Sequence, residues 1–123
     1  MAFNRPTAMI ADADAAVRGS LRFAFEVQGI AARTTAVRAE EISGPSLRGI
    51  DCLIIDRHLL GSNIAAEMHR LSEWTSVIVV ATNPELRLTE AVNAAGAWLI
   101  EKPLIGDTLI DLVRSLTKPA AAA

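Results

Sequence analysis

Three polar side chains stand at the ends of apolar runs, and their types suit phosphoryl chemistry. Asp56 closes the run Cys52-Leu53-Ile54-Ile55 and is followed by a loop that contains Gly61. Asp12 follows the run that ends Met9-Ile10-Ala11, and Lys102 comes after the run Trp98-Leu99-Ile100 with Glu101 between. A carboxylate left unpaired at the end of a buried strand costs stability, so its presence there points to chemistry. Two acids and an ammonium at three such ends could bind a cation through hard oxygens and a phosphoryl group through the lysine.

The elements that must position these groups alternate. Thr7 to Ala11 reads as a short strand, and Asp14 can cap the helix after it, because its carboxylate accepts a free backbone N–H. That helix runs to about Gln28 with Val17, Leu21, Ala24 and Phe25 on one face, and Gly29 stops it. Ile30 to Thr34 is a weak, small-residue strand suited to an edge. Val37 to about Ser43 makes a poor second helix, broken at Gly44-Pro45. Cys52 to Asp56 is the third strand, and Asn63 to Glu73 the third helix, with Ile64, Met68 and Leu71 inward. Ser76 to Ala81 is the clearest strand, β-branched and uninterrupted. Pro84 suits the first turn of a fourth helix, capped by Thr82 or Asn83 and ending near Gly96. Ala97 to Ile100 is strand five. A fifth helix starts near Gly106-Asp107 and buries Leu109, Leu112, Val113 and Leu116. Residues 118–123, Lys-Pro and four alanines, read as a flexible tail on an ordered core of about 6–117. Strand–helix alternation with short connections implies parallel strands and right-handed crossovers, hence a three-layer α/β sandwich. The pattern alone leaves the strand order open.

Bulk properties narrow the class. The chain has 123 residues, suited to one domain, with 51% apolar and 21% charged residues. A net charge of −2 gives no basic footprint for nucleic acid. No apolar stretch reaches the roughly 20 residues of a membrane span, and the N-terminus lacks a signal peptide's apolar core. The single cysteine, Cys52, reads as a small core residue, and one cysteine fits a cytoplasmic setting.

Three segments, in order, resemble those of bacterial response-regulator receiver domains of the CheY-like and FixJ-like kind. Ile10-Ala11-Asp12-Ala13-Asp14 through Arg18 is similar to their first loop. Ile54-Ile55-Asp56-Arg57-His58-Leu59-Leu60-Gly61 is similar to their phosphorylation loop. Ala95-Gly96-Ala97, followed by Ile100-Glu101-Lys102-Pro103, is similar to their last strand and its lysine. The resemblance implies a (βα)5 flavodoxin-like fold with strand order 2-1-3-4-5 and a cis Lys102-Pro103 bond. It makes Asp56 the acceptor of a phosphoryl group from a histidine kinase or phosphotransfer protein. Mg²⁺ would be held by Asp12, Asp56 and the backbone carbonyl of His58, and Lys102 would pair with Asp56 and then with the phosphoryl oxygens. With no output domain after it, such a chain is expected to signal by contact through helix four, strand five and helix five. The family precedent also allows two copies to pair through helices four and five or one and five. Activity beyond phosphoacceptor autocatalysis and self-dephosphorylation is not expected.

The chain departs from the family at both the metal site and the switch. Ala13 replaces the second of two adjacent acids, which normally ligates the metal. Asp14 is one residue further on, more suited to capping than to ligation. The hydroxyl that senses the phosphoryl group falls on Ala81 by counting back from Ala95-Gly96-Ala97, or on Thr82 with a shift of one. Leu99, with Trp98 adjacent, stands where an aromatic usually rotates. A pseudo-receiver that binds a partner without phosphorylation is therefore the main alternative. A remoter one is a haloacid-dehalogenase-like phosphatase using Asp12, suggested by Asp12-Ala13-Asp14 and Gly106-Asp107-Thr108. His58 reads as an exposed loop residue, His69 as solvated, and Trp74 and Trp98 as packing residues.

Overall fold

The structure is a computed structural model that describes residues 5–104 and 106–117. The tail expected at 118–123 lies outside the described residues. Five parallel strands form one sheet: β1 (Thr7–Ala11), β2 (Ala31–Thr35), β3 (Cys52–Asp56), β4 (Ser76–Ala81) and β5 (Trp98–Glu101), in the order β2-β1-β3-β4-β5. The order expected from the resemblance is the one found. The weak strand is at one edge, and β3, apolar at four of its five positions, lies at the centre and is buried throughout.

Helices cover both faces. They are α1 (Ala15–Val27), α2 (Ile64–Ser72), α3 (Leu86–Ala94) and α4 (Thr108–Thr117). One side of the sheet packs Leu53, Ile55, Val77 and Val79 against Met68 and Leu71 of α2 and Leu88 and Val92 of α3. The other packs Ile10, Ile54 and Ile78 against Phe25 of α1 and Leu109 and Val113 of α4. Alternate residues of each buried strand serve opposite layers, as the pleat requires.

Among the described residues there are four α-helices, not the five of the (βα)5 expectation. Between β2 and β3 the chain makes two 3₁₀ turns, Ala39–Glu41 and Pro45–Leu47. Gly44 and Pro45 break the segment, and Arg70 of α2 ties down its first turn: its guanidinium donates to Ile42 O and to Ala39 O, each at 2.7 Å, the latter also accepting the Ile42 N–H. The helices expected as fourth and fifth are thus α3 and α4. Helix α3 also starts later than Pro84 suggested. Asn83 has φ 46°, Glu85 has an extended backbone, and neither Thr82 nor Asn83 caps the helix through a side chain. Glu85, extended at ψ 155°, stands as the N-cap, so the helix starts at Leu86.

Candidate functional site

Parallel strands set in register deliver their carboxyl ends to one edge, and the polar residues follow from that. Ala11 of β1 pairs with Ile55 of β3, so Asp12 and Asp56 come next on neighbouring strands. Asp56 itself pairs with Val80 of β4, and Ala81 with Glu101 of β5, which brings Lys102 to the same edge. Lys102 Nζ donates to Asp56 Oδ1 at 2.6 Å. The Lys102-Pro103 bond is cis. Asp12 and Asp56, 8% and 5% exposed, are the buried charged side chains among the described residues. Buried carboxylates with one strong cation between strand ends mark a functional site better than a structural one.

Both oxygens of Asp56 are engaged. Oδ2 accepts the backbone N–H of His58 at 2.8 Å and lies 2.8 Å from His58 Nδ1, the tautomer with a proton there donating to it. Burial pushes the Asp56 carboxyl up, but the hydrogen bonds from Lys102 and His58 outweigh burial and hold it below its usual value. The group is therefore an anion at neutral pH, which a nucleophilic carboxylate must be.

Asp12 Oδ1 accepts the backbone N–H of Asp14 at 2.8 Å, and Arg18 holds the Asp12 carbonyl at 2.7 Å. No donor among the described residues engages Asp12 Oδ2. Asp14 turns away to cap α1, accepting from Ala16 N at 2.8 Å and Val17 N at 3.3 Å. That geometry weighs against Asp14 as a metal ligand and against a phosphatase pair built from Asp12 and Asp14. Among the described residues no three His, Cys, Asp or Glu side chains gather as a metal cluster. The donors fit Mg²⁺ in kind, since that ion takes one or two carboxylates and keeps water elsewhere. The set is thin, two carboxylates at adjacent strand ends, because Ala13 brings no oxygen to it.

Ala81 ends β4 beside the pair, 2% exposed, and its carbonyl accepts the Lys102 N–H at 2.8 Å. Thr82 lies beyond the strand and is exposed. A methyl group thus occupies the strand end next to Asp56 and Lys102. Cys52 is buried in the core, its thiol pushed up to about 12 by burial and by Asp51. His69 is exposed, as expected. Trp74 and Trp98 are less packed than expected, at 39% and 37% exposure, with the Arg48 guanidinium 5.7 Å from the Trp74 ring centre.

Two contacts escaped the sequence reading. One is the His58 ring on Asp56, hinted at only by a histidine two residues after the acid. The other is an ion pair from Arg57 Nε to Glu85 Oε1 at 2.8 Å, which ties the loop after β3 to the start of α3.

No family model matches this chain, and no curated protein does. Solved structures do. A response regulator receiver protein from Burkholderia phymatum is 30% identical, with a TM-score of 0.69, over 97% of this chain and 100% of that one. A putative pilus assembly-related protein from Burkholderia pseudomallei has a TM-score of 0.78 at 22% identity, over 92% of this chain and 90% of that one. A response regulator from Thermotoga maritima has a TM-score of 0.76 at 23% identity, over 93% of this chain and 98% of that one.

Proposed function

The chain belongs to the response-regulator receiver family, and from that premise we propose that Asp56 accepts a phosphoryl group from a histidine kinase or phosphotransfer protein. The chain then acts by contact with a downstream protein in the cytoplasm, through the face of α3, β5 and α4. The observation that carries the reading is the 2.6 Å contact of Lys102 Nζ with the buried Asp56 carboxylate.

The chemistry follows from the charge state. An Asp56 oxygen attacks phosphorus, and the bond from phosphorus to the donor's nitrogen or oxygen breaks, its electron pair leaving with the donor. Asp56 has no proton to lose, so the step needs no base. The product is an acyl phosphate in which one carboxylate oxygen bears the phosphoryl group. Lys102 balances the carboxylate beforehand and the phosphoryl oxygens afterwards. Asp12, Asp56 and the His58 carbonyl would hold Mg²⁺, which when bound neutralises and orients the phosphoryl oxygens.

The test is intact mass after incubation with acetyl phosphate and Mg²⁺. Wild type should gain one phosphoryl group and Asp56→Asn none; no gain at high Mg²⁺ contradicts the reading. The methyl of Ala81 and the missing acid at Ala13 favour a second reading, a phosphorylation-independent binding module. It expects partner binding to be indifferent to Asp56→Asn.

A further inference from the structure

The residue after the acceptor is tied to the start of α3. Arg57 is mostly covered, with a side chain 23% exposed, and its Nε meets Glu85 Oε1 at 2.8 Å. Glu85 is the N-cap residue of α3, yet no side chain caps that helix. Asn83, two residues before, has φ 46°, in the left-handed region. Leu86, the residue after Glu85, leaves its apolar side chain 73% exposed. An uncapped helix start, a left-handed residue and an exposed leucine describe a weakly held segment. The Arg57–Glu85 pair crosses from that segment to the loop beside Asp56.

We propose that Arg57 is the positioning residue that couples Asp56 to α3, in place of the hydroxyl absent at Ala81. The proposal rests on Asp56 being the phosphoryl acceptor. At rest the guanidinium holds Glu85. A phosphoryl group on the adjacent residue presents three acceptor oxygens that share up to about two negative charges, a more highly charged partner for Arg than one carboxylate. Arg57 turns to it, Glu85 is left with the more distant Arg87 Nη2, at 4.0 Å, and residues 82–87 loosen with Leu86 on their surface. A partner recognising the modified protein would thus meet an apolar side chain released from its tether.

Hydrogen exchange of residues 82–87 in the full chain tests this, with intact mass recording phosphoryl gain in the same samples. In wild type, acetyl phosphate treatment should speed exchange there roughly two- to fivefold, the scale of one partly exposed ion pair. Arg57→Ala and Glu85→Gln should show the faster exchange before treatment and no further change after it. Phosphorylated wild type with unchanged exchange overturns the coupling and leaves Asp56 as acceptor. Equal resting exchange in wild type and Arg57→Ala does the same. Absence of phosphoryl gain overturns both readings together.

Discussion

Asp56 is a buried anion whose partners are specific, so its loss of a partner has a readable sign. Lys102→Met keeps most of the side-chain volume and removes the ammonium at 2.6 Å. At pH 7 the ionised Asp56 then lacks its strongest donor, and stability should fall by about 1–3 kcal/mol. The folded carboxyl lies below its ordinary value. The pair's contribution is therefore complete above the unfolded value of about 3.9 and fades as pH falls through the folded one. Urea titrations at pH 7 and near pH 3 should show the gap between wild type and Lys102→Met narrowing with acid. A gap unchanged at low pH would assign it to packing. Asp12 and Asp56 were legible because each ends an apolar run, and Lys102 because it follows one across the single residue Glu101. His58 on Asp56 and Arg57 on Glu85 were not, because rotamers of loop side chains leave no periodicity to read.

At the scale of elements, two local devices hold the segments that feed the site. Asp14 caps α1 with bonds to two backbone N–H groups, so Asp14→Ala should cost about 0.5–2 kcal/mol by thermal or chemical denaturation. If Asp14 were instead needed for the metal, the same variant would lose phosphoryl uptake at saturating Mg²⁺. Arg70 adds two bonds from α2 to the first of the turns between β2 and β3. Arg70→Ala should destabilise by about 1–3 kcal/mol and speed hydrogen exchange over residues 39–47. The weakness of the second helix was visible in Gly44-Pro45, but its replacement by 3₁₀ turns was not. That outcome depends on an arginine from α2, distant in sequence. The strand ends at Asp56 and Ala81 were legible to the residue, since β-branched runs stop there. The start of α3 was not, because Pro84 suits both the first turn of a helix and the extended loop before one, and here it lies in the loop.

Across the whole molecule, the alternation of strands and helices announced a parallel sheet, while the strand order needed the family resemblance. The site depends on that order, since β3 at the centre brings Asp56 between Asp12 on β1's side and Lys102 beyond β4. The core and the site are separable in energy. Leu53→Ala, at a fully buried position of β3, should cost about 2–5 kcal/mol in unfolding free energy while phosphoryl uptake per folded molecule stays near wild type. The central claim, that the carboxylate of Asp56 is the acceptor, has a direct chemical readout. An acyl phosphate is reduced by borohydride to an alcohol, which converts a phosphorylated aspartate to homoserine. After acetyl phosphate and Mg²⁺, then borohydride, peptide mass mapping should find homoserine at residue 56. Homoserine at residue 12 or 14 instead, or at none, would contradict the account.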